Sequence, residues 1–430
     1  MRRNISFASV NHFFVNLAMN LTDSATVLPL FVKALGGSNL LAGLLPSLRF
    51  VGWLVPQYFA AGRMRRLSRF LPMVMFLEVI RSSFYLIIAG VTFAYALESP
   101  KLVLAIFLVL YFFTRLCAGS SNVARSEIVA RMVPPRQLAS TIALRSFAGG
   151  LGGFVAGFTV RWVLDERVSS FPRSYASLLG LSGICFGLAL GAVSAIKEQE
   201  SAIKPREIDL LQQIRRAPQL LVADRQYLRY ILVRAASTGL QLATPFYIIY
   251  ATEVLGAPAA WAGVYISVQT FSQLASNLLW VGLSRKRGSL LILRAACALG
   301  ILAPTAAALF AWATPSIISR EVSTVALWLF GSVFLMQGFA YSAKYVGQTA
   351  YLFDIAPERD RPTYYGLSNT ILGPLHFLPA LGGALLDLVG FVPMFAASAL
   401  LMALALALTS RLGLEHGAVG EPVSRRCPAK

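Results

Sequence analysis

The chain contains about twelve long apolar stretches, and this feature restricts its fold more than any other. A bilayer core about 30 Å thick is crossed by roughly 20 apolar residues in a helix. Only 13% of the residues are charged, against about 25% in soluble domains, which leaves too little charge to cover soluble domains of this length. The sequence therefore predicts an all-α membrane protein, with spans at 7–32, 39–62, 70–95, 101–124, 138–163, 174–196, 226–252, 259–282, 289–312, 322–346, 362–387 and 390–411.

The distribution of positive charge predicts the orientation of these spans. A formal net charge of +19 would suggest a nucleic-acid partner in a soluble protein. Here the basic residues cluster in alternate connections between apolar stretches, as in Arg63–Arg69, Lys197–Arg229 and Arg285–Arg287. Cytoplasmic connections of membrane proteins carry this excess of Lys and Arg. We expect a multi-pass protein of the cytoplasmic (inner or plasma) membrane with both termini cytoplasmic, and no nucleic-acid partner.

The N-terminus and the cysteines exclude some other classes of protein. The apolar run after Arg2 and Arg3 continues past Asp23 to about Phe31, longer than a signal-peptide core, so we expect a retained helix. The four cysteines form no Cys-x-x-Cys pair, so we expect neither a metal site nor a disulfide framework. No Gly-x-x-x-x-Gly-Lys loop is present, which argues against ATP hydrolysis. We expect no cofactor and no enzymatic activity.

The two halves of the chain repeat one another. Leu41-Ala42-Gly43 matches Trp261-Ala262-Gly263, and the basic cluster at Arg65 matches that at Arg285, each 220 positions later. The sequence thus predicts two six-helix repeats of the same orientation, and parallel repeats place a solute site between the halves near the bilayer midplane. We expect domains at 1–196 and 226–412, a cytoplasmic linker at 197–225 and a cytoplasmic tail at 413–430.

Two local patterns resemble the major facilitator superfamily. The family's loop between helices 2 and 3 usually reads Gly-x-x-x-Asp-Arg-x-Gly-Arg, and here the matching stretch is 61–69, in which Arg66 and Arg69 agree. In helix 4, Arg115-Leu116-Cys117-Ala118-Gly119 resembles the family's Arg-x-x-x-Gly signature. The resemblance covers nearly the whole chain and implies two six-helix bundles around a central cavity that opens to each side in turn.

The resemblance also implies a cytoplasmic gate at the loop between helices 2 and 3. The family's loop acid is replaced here by Arg65, so that its role cannot be transferred. The gate would consist of Arg65, Arg66 and Arg69, and either Asp354 or Asp360 could provide the carboxylate in a swapped pair.

Three charged residues inside predicted helices are candidates for function. A charge near a helix centre costs about 2.5–3.5 kcal/mol on insertion scales, so it must face a cavity or a partner. Asp23 is a carboxylate that cycles a proton, the static partner of a neighbouring arginine, or a residue at the outer interface. Arg49 either binds an anionic group of the solute, holds Asp23 ionised or packs between helices. Arg115 matches an arginine that proton-coupled members of the family use for proton handling, and so the resemblance implies a coupling role.

Other polar residues inside the spans have milder assignments. Glu78 and Arg81 lie three positions apart on one helix face, and this spacing predicts a buried ion pair. In the second half, several uncharged polar residues could contact the solute or form hydrogen bonds between helices. They are Gln241, Gln269, Gln273, Gln337 and His376.

The function expected from these observations is secondary active transport. We expect a monomer in membrane lipid that moves a small-molecule solute by alternating access, coupled to protons or another ion. A proton-coupled exporter, or antiporter for efflux, is slightly favoured. The alternatives are an importer of an anionic small molecule, suggested by the interior arginines, and a transporter-like sensor or scaffold without turnover.

Overall fold

The structure is a computed structural model and consists of helices joined by connections. It describes residues 2–64, 67, 69–133, 135–198, 224–317, 324–357 and 361–413. Residues 199–223 of the expected linker and 414–430 of the expected tail lie outside the described residues.

The described helices fall into twelve spans, six on each side of the linker, as the sequence predicts. The first six are span 1 (Arg2–Leu21 and Val27–Ala34), span 2 (Asn39–Met64), span 3 (Leu71–Tyr95), span 4 (Pro100–Met132), span 5 (Pro135–Val163) and span 6 (Arg173–Ser194). The next three are span 7 (Arg225–Ala236, Gly239–Ala243 and Phe246–Glu253), span 8 (Trp261–Arg287) and span 9 (Ser289–Ile317). The last three are span 10 (Thr324–Ile355), span 11 (Arg361–Leu372, a 3-10 turn Gly373–Phe377 and Leu378–Val389) and span 12 (Phe391–Thr409).

Spans 1, 7 and 11 are interrupted, where the sequence predicted single continuous helices. In span 1 the Asp23 carboxylate accepts hydrogen bonds from Ala25 N at 2.9 Å and Thr26 Oγ1 at 3.0 Å, which stabilises the turn between the two segments. Span 7 restarts after Pro245, and span 11 turns at Gly373-Pro374. Proline has no N–H to continue a helix, so the breaks at Pro245 and Pro374 free backbone groups. These breaks place irregular backbone inside the bundle, where it is tolerated only against protein or a cavity.

The packing of the helices repeats from one half to the other. In the first half span 2 packs against span 4, and span 3 packs against spans 4 and 6. In the second half span 8 packs against span 10, and span 9 against spans 10 and 12, which is the same arrangement six spans later. Between the halves, span 5 packs against span 8 and span 2 packs against span 11. The repeat relates span 2 to span 8 and span 5 to span 11, so these two contacts are equivalent. Two similar bundles therefore face each other.

The two ends of the bundle are distinguished by their loops. Asn4 Nδ2 donates to the carbonyl of Lys197 at 3.1 Å, and Gln226 Nε2 donates to the carbonyl of Gly413 at 2.6 Å, so the described residues that flank the linker lie at the same end as the first and last described residues. We call this end the linker face. The other end, the opposite face, carries the turn at 36–38 and the end of span 7 at Glu253.

Eight helices among the described residues are long and apolar enough to cross a membrane. They belong to spans 3–6 and 9–12. Spans 1, 2, 7 and 8 contain none of these eight helices; spans 1 and 7 are interrupted, and all four spans lie at the contact between the halves. Polar residues on such helices need not face lipid, because they can line a space inside the protein.

The glycines of span 5 allow this helix to approach neighbours on two sides. A Cβ atom at Gly149 or Gly152 would meet span 1, and one at Gly157 would meet Ser267 and the Gly263 carbonyl of span 8. Small residues permit such close helix contact in membranes. Span 5 thus links the two halves near the opposite face.

Candidate functional site

A cavity of about 790 Å³ lies between the two halves. Residues of spans 1–5 line it from the first half, and residues of spans 7, 8, 10 and 11 line it from the second. The sequence-predicted residues in its wall are Asp23, Arg49, Arg81 and Arg115 from the first half and Gln241, Gln269, Gln273 and His376 from the second. The structure thus brings most of the predicted site residues into one common space.

Asp23 lies at the break in span 1 and pairs with Arg49 of span 2. Arg49 Nη1 is 3.4 Å from Asp23 Oδ1, and the same nitrogen donates to Ser24 Oγ at 3.3 Å. The other carboxylate oxygen is held by Ala25 N and Thr26 Oγ1. The Arg49 side chain is 42% exposed and that of Asp23 18% exposed, so the guanidinium projects further into the cavity than its partner.

Arg115 lies deeper in the first half and is 3% exposed. Its Nη2 donates a short hydrogen bond to the Tyr85 hydroxyl, and its guanidinium carbon lies 4.6 Å from the centre of the Tyr111 ring. Thr22 Oγ1 is 3.4 Å from the same Tyr85 hydroxyl. Polar side chains therefore connect Arg115 to the residue that precedes Asp23.

Glu78 and Arg81 form the buried ion pair that their spacing predicts. Arg81 Nη1 is 3.3 Å from Glu78 Oε2, and both side chains are 1% exposed. The structure adds two partners that the sequence analysis missed: Ser121 Oγ donates to Glu78 Oε1 at 2.6 Å, and Arg125 Nη2 lies 3.4 Å from that oxygen. The predicted end of span 4 at residue 124 excluded Arg125, but the helix continues to Met132.

The polar residues of the second half are joined to one another and to the first half. His376 Nδ1 lies 3.0 Å from Gln241 Oε1, and the His376 ring stacks on Phe50 of span 2. Gln269 and Gln273 line the cavity from span 8.

Gln337 does not line the cavity, in contrast to the expected solute contact. It is 1% exposed, and its Nε2 donates to Thr244 Oγ1 at 3.0 Å. Thr244 is also bonded to the Tyr341 hydroxyl at 2.9 Å, and both Thr244 and Tyr341 line the cavity. Gln337 thus supports the wall from behind, because Thr244 lies between its amide and the cavity.

The expected gate at the linker face is only partly described. Arg65, Arg66 and Asp360 lie outside the described residues, and Arg69 is exposed. Asp354 accepts a hydrogen bond from Ser289 Oγ at 2.5 Å, which joins spans 9 and 10 within the second half. The swapped pair proposed for Asp354 is therefore not formed with a described residue of the first half in this conformation.

The halves are held together at the opposite face. Lys33 of span 1 pairs with Glu253 of span 7 at 2.9 Å and donates to Asn39 Oδ1 at 3.1 Å. Asn39 Nδ2 in turn donates to Asp387 Oδ1 of span 11 at 2.6 Å. Below this network spans 5 and 8 touch at Gly157 and Gly263. The cavity lies on the linker side of these contacts.

The charge of the cavity wall is strongly asymmetric. Among the described residues that line it, five are arginines and one is a carboxylate: Arg49, Arg81, Arg115, Arg125, Arg145 and Asp23. Glu78 neutralises part of this charge from behind the wall. A space with such walls attracts anions, because low-dielectric surroundings focus the field of its charges.

We expect the contact between spans 5 and 8 at Gly157 to keep the opposite face closed, and this role can be tested. We expect Gly157→Leu to force spans 5 and 8 apart at the opposite face, since a side chain there would overlap Ser267 and the Gly263 carbonyl. A Ser24→Cys thiol, in a background without native cysteines, should then react about tenfold faster with an impermeant reagent added at the opposite face, the change expected when a minor conformer becomes dominant. Gly191→Leu is the matched control, because nothing lies within 4 Å of a Cβ there. An unchanged rate in folded Gly157→Leu protein would contradict this role.

Solved structures of transporters share this fold. The chain matches an autoinhibited POT family peptide transporter with a TM-score of 0.72 and 13% identity, covering 99% of both chains. The nucleoside transporter NupG matches with a TM-score of 0.70 and 12% identity over 95% of this chain and 98% of that one. A bacterial homologue of the iron transporter ferroportin, in an inward-facing state, matches with a TM-score of 0.65 and 14% identity over 96% and 98%. No curated protein sequence matches the chain.

The sequence itself carries the family pattern. Residues 8–373 match the model of the Major Facilitator Superfamily, which covers most of the chain. With the twelve-span fold in two halves and the cavity between them, this match identifies a membrane transporter: the chain belongs to the major facilitator superfamily.

Proposed function

We propose that this protein is a secondary transporter of small organic or inorganic anions, coupled to protons. The observation that carries the proposal is the excess of arginine over carboxylate in the cavity wall. The solved relatives are named for nucleosides, peptides and iron, so the fold alone does not select a solute class. The charge of this chain's own cavity favours anions, because a guanidinium inside a membrane protein needs an anionic partner.

Alternating access would proceed by rocking of the two halves. The closed contacts at the opposite face, from Lys33–Glu253 to Gly157–Gly263, support an inward-open conformation if the linker face is cytoplasmic. We place the linker face there, and with it both termini, because the basic connections lie at that face. The cavity is built by one chain, which supports transport by a monomer.

The Asp23–Arg49 pair supports a specific sign of coupling, in which proton and anion move in the same direction. A carboxylate or phosphate of the solute competes with Asp23 for the Arg49 guanidinium. Protonation of Asp23 removes that competitor, so proton and anion favour each other's binding, and linkage makes this effect reciprocal. Proton and anion would then cross together, and a normal inward proton gradient would drive uptake.

This sign favours import of an anion over the export that the sequence analysis slightly preferred. Efflux by proton exchange requires that solute and proton compete for one carboxylate, as a cation does. Asp23 could serve a cation in that way, but the five arginines around it would repel one. The geometry therefore supports the anion importer.

Transport into proteoliposomes tests the proposal directly. We expect accumulation of one or more of three labelled anions, inorganic phosphate, lactate and succinate, under an inward proton gradient, and loss of accumulation with a protonophore. Tetraphenylphosphonium serves as the cationic probe. Movement of this cation but of none of the anions would contradict the proposal. Binding of an anion without movement would support the sensor or scaffold alternative instead.

A further inference from the structure

A second group of arginines lines the cavity nearer the linker face than the Asp23–Arg49 pair, with a histidine beside them. The group consists of Arg81, Arg125, Arg145 and His12, all of which contribute to the cavity wall. We call this group the linker-side station, and Asp23, Arg49 and Arg115 the central station. Arg115 and Arg125 are ten residues apart on one helix, which corresponds to about 15 Å at 1.5 Å per residue. Along span 4 the two stations are therefore nearly three helical turns apart.

Two arginines of the linker-side station share one carboxylate. Glu78 contacts both Arg81 and Arg125, but it is 1% exposed and accepts its shortest hydrogen bond from Ser121. Its oxygens are therefore already occupied. Arg145 lines the same cavity. The Glu78 carboxylate that Arg81 and Arg125 share lies behind the wall.

Hydrogen-bond donors in this station remain unused. Arg81 is 1% exposed and lines the cavity, yet its Nε and Nη2 have no hydrogen-bond partner among the described residues. Arg145 Nε is likewise buried without a partner among them. A buried donor without a partner costs about 1–3 kcal/mol, and more when it is charged. Such donors in a cavity wall indicate a missing acceptor.

Backbone packing fixes the place of this station. Gly149 of span 5 has no side chain, and a Cβ there would meet the His12 ring and Asn16 of span 1. Span 5 can therefore lie against span 1, which brings Arg145, one turn before Gly149, towards His12. Ser126 and Asn122 of span 4 line the same part of the cavity and add neutral hydrogen-bonding groups.

We propose that the linker-side station is a separate binding site for an oxyanion, a carboxylate or phosphate group, distinct from the central station. The unused donors of Arg81 and Arg145 and the shared carboxylate of Glu78 carry this proposal. Planar guanidinium groups match the geometry of these oxyanions, often with two hydrogen bonds each. The site goes beyond the proposed transport function, because an anion can bind there whether or not it then moves to the central station.

The reactivity of an engineered cysteine at the linker-side station tests whether an anion binds there. Ser126 is exposed and lines the cavity at the station, so Ser126→Cys is made in a background in which the four native cysteines are alanine. We expect the anionic reagent methanethiosulfonate ethylsulfonate to react about tenfold faster than its trimethylammonium counterpart, after correction for their rates with a free thiol, as a focused positive field implies. Inorganic phosphate should protect the thiol. Arg145→Gln should reduce both effects, by about tenfold in the phosphate concentration needed, since one charge-assisted hydrogen bond is lost.

Two further variants separate this proposal from the transport function. Arg173→Gln, an exposed residue at the start of span 6, is the matched control and should leave protection unchanged. Arg49→Gln should also leave protection of the Ser126→Cys thiol intact, although it impairs the central station. Arg49→Gln should thus impair transport and keep protection by phosphate, whereas Arg145→Gln should weaken protection by phosphate.

The lipid composition of the nanodisc distinguishes a soluble anion from a lipid headgroup as the source of the oxyanion. The measurement is made in nanodiscs of phosphatidylcholine alone and of phosphatidylcholine with phosphatidylglycerol. Protection by added phosphate in the neutral nanodiscs supports a site for soluble anions, whereas protection by phosphatidylglycerol without phosphate supports a lipid headgroup at the same site. Absence of protection by both, or protection that Arg145→Gln does not alter, overturns the proposal.

Discussion

Replacing Arg49 with glutamine is expected to lower kcat/KM for a transported anion by about 100-fold, the effect of losing a charge-assisted hydrogen bond worth about 1.5–3 kcal/mol. Arg49 projects into the cavity with 42% of its side chain exposed, and it holds the Asp23 carboxylate at 3.4 Å. Its removal takes away the anion's partner and leaves Asp23 as a repelling charge. Initial rates in proteoliposomes over a range of solute concentrations measure the loss.

Two companion variants make the Arg49 result specific. Arg49→Lys keeps the charge but not the forked geometry, and we expect a loss of about tenfold rather than 100-fold. Arg173→Gln removes the same charge at an exposed position away from the cavity and should change little. Equal activity of Arg49→Gln and Arg173→Gln would exclude Arg49 from the solute site.

Much of the architecture follows from the sequence because lipid imposes a simple length rule. Each crossing needs a run of about 20 apolar residues, and basic connections mark one side. The near-constant offset between halves predicted the repeat that appears as equivalent packing of spans 2 and 4 with spans 8 and 10. The prediction of a twelve-span fold in two six-helix halves is confirmed.

The same length rule missed the features that shape the cavity. It stopped span 4 at residue 124, although the helix continues to Met132 and carries Arg125 to Glu78. Hydropathy measures only the lipid layer, whereas a helix can extend beyond it. Hydropathy also treats span 1 as continuous, because the apolar residues on both sides of Asp23 hide the break, where its carboxylate stabilises the turn. The Ser and Thr residues around Asp23 were an available signal for that break.

Polar residues in the second half show a different limit of sequence reasoning. Gln337 and Tyr341 are four positions apart on span 10 and share a face, yet only Tyr341 lines the cavity. Thr244 of span 7 covers Gln337 and accepts its hydrogen bond. Which of two residues on one helix face reaches a cavity depends on the neighbouring helix, and that contact is long-range in the chain.

Replacing Asp23 with asparagine is expected to abolish proton-driven accumulation while preserving exchange of the anion. Asparagine can still accept the hydrogen bonds from Ala25 N and Thr26 Oγ1 that stabilise the turn between the two segments of span 1. It carries no charge, so it leaves Arg49 free for the anion at every pH, as the protonated carboxylate would. The linkage between proton and anion then disappears. Asparagine binds no proton, so the affinity for the anion no longer depends on protonation at this position.

The expected signature of Asp23→Asn is a split between two assays of one protein preparation. Counterflow, in which labelled anion exchanges for unlabelled anion without a gradient, should remain within about twofold of the unmodified protein, since the hydrogen bonds of the turn and the Arg49 side chain are both retained. Accumulation driven by an inward proton gradient should fall to the level of liposomes without protein. Glu166→Gln, which neutralises an exposed carboxylate in the connection between spans 5 and 6, should keep both activities. Accumulation that survives in Asp23→Asn would show that the proton is carried elsewhere, and the competition between Asp23 and the solute for Arg49 would then not be the source of coupling.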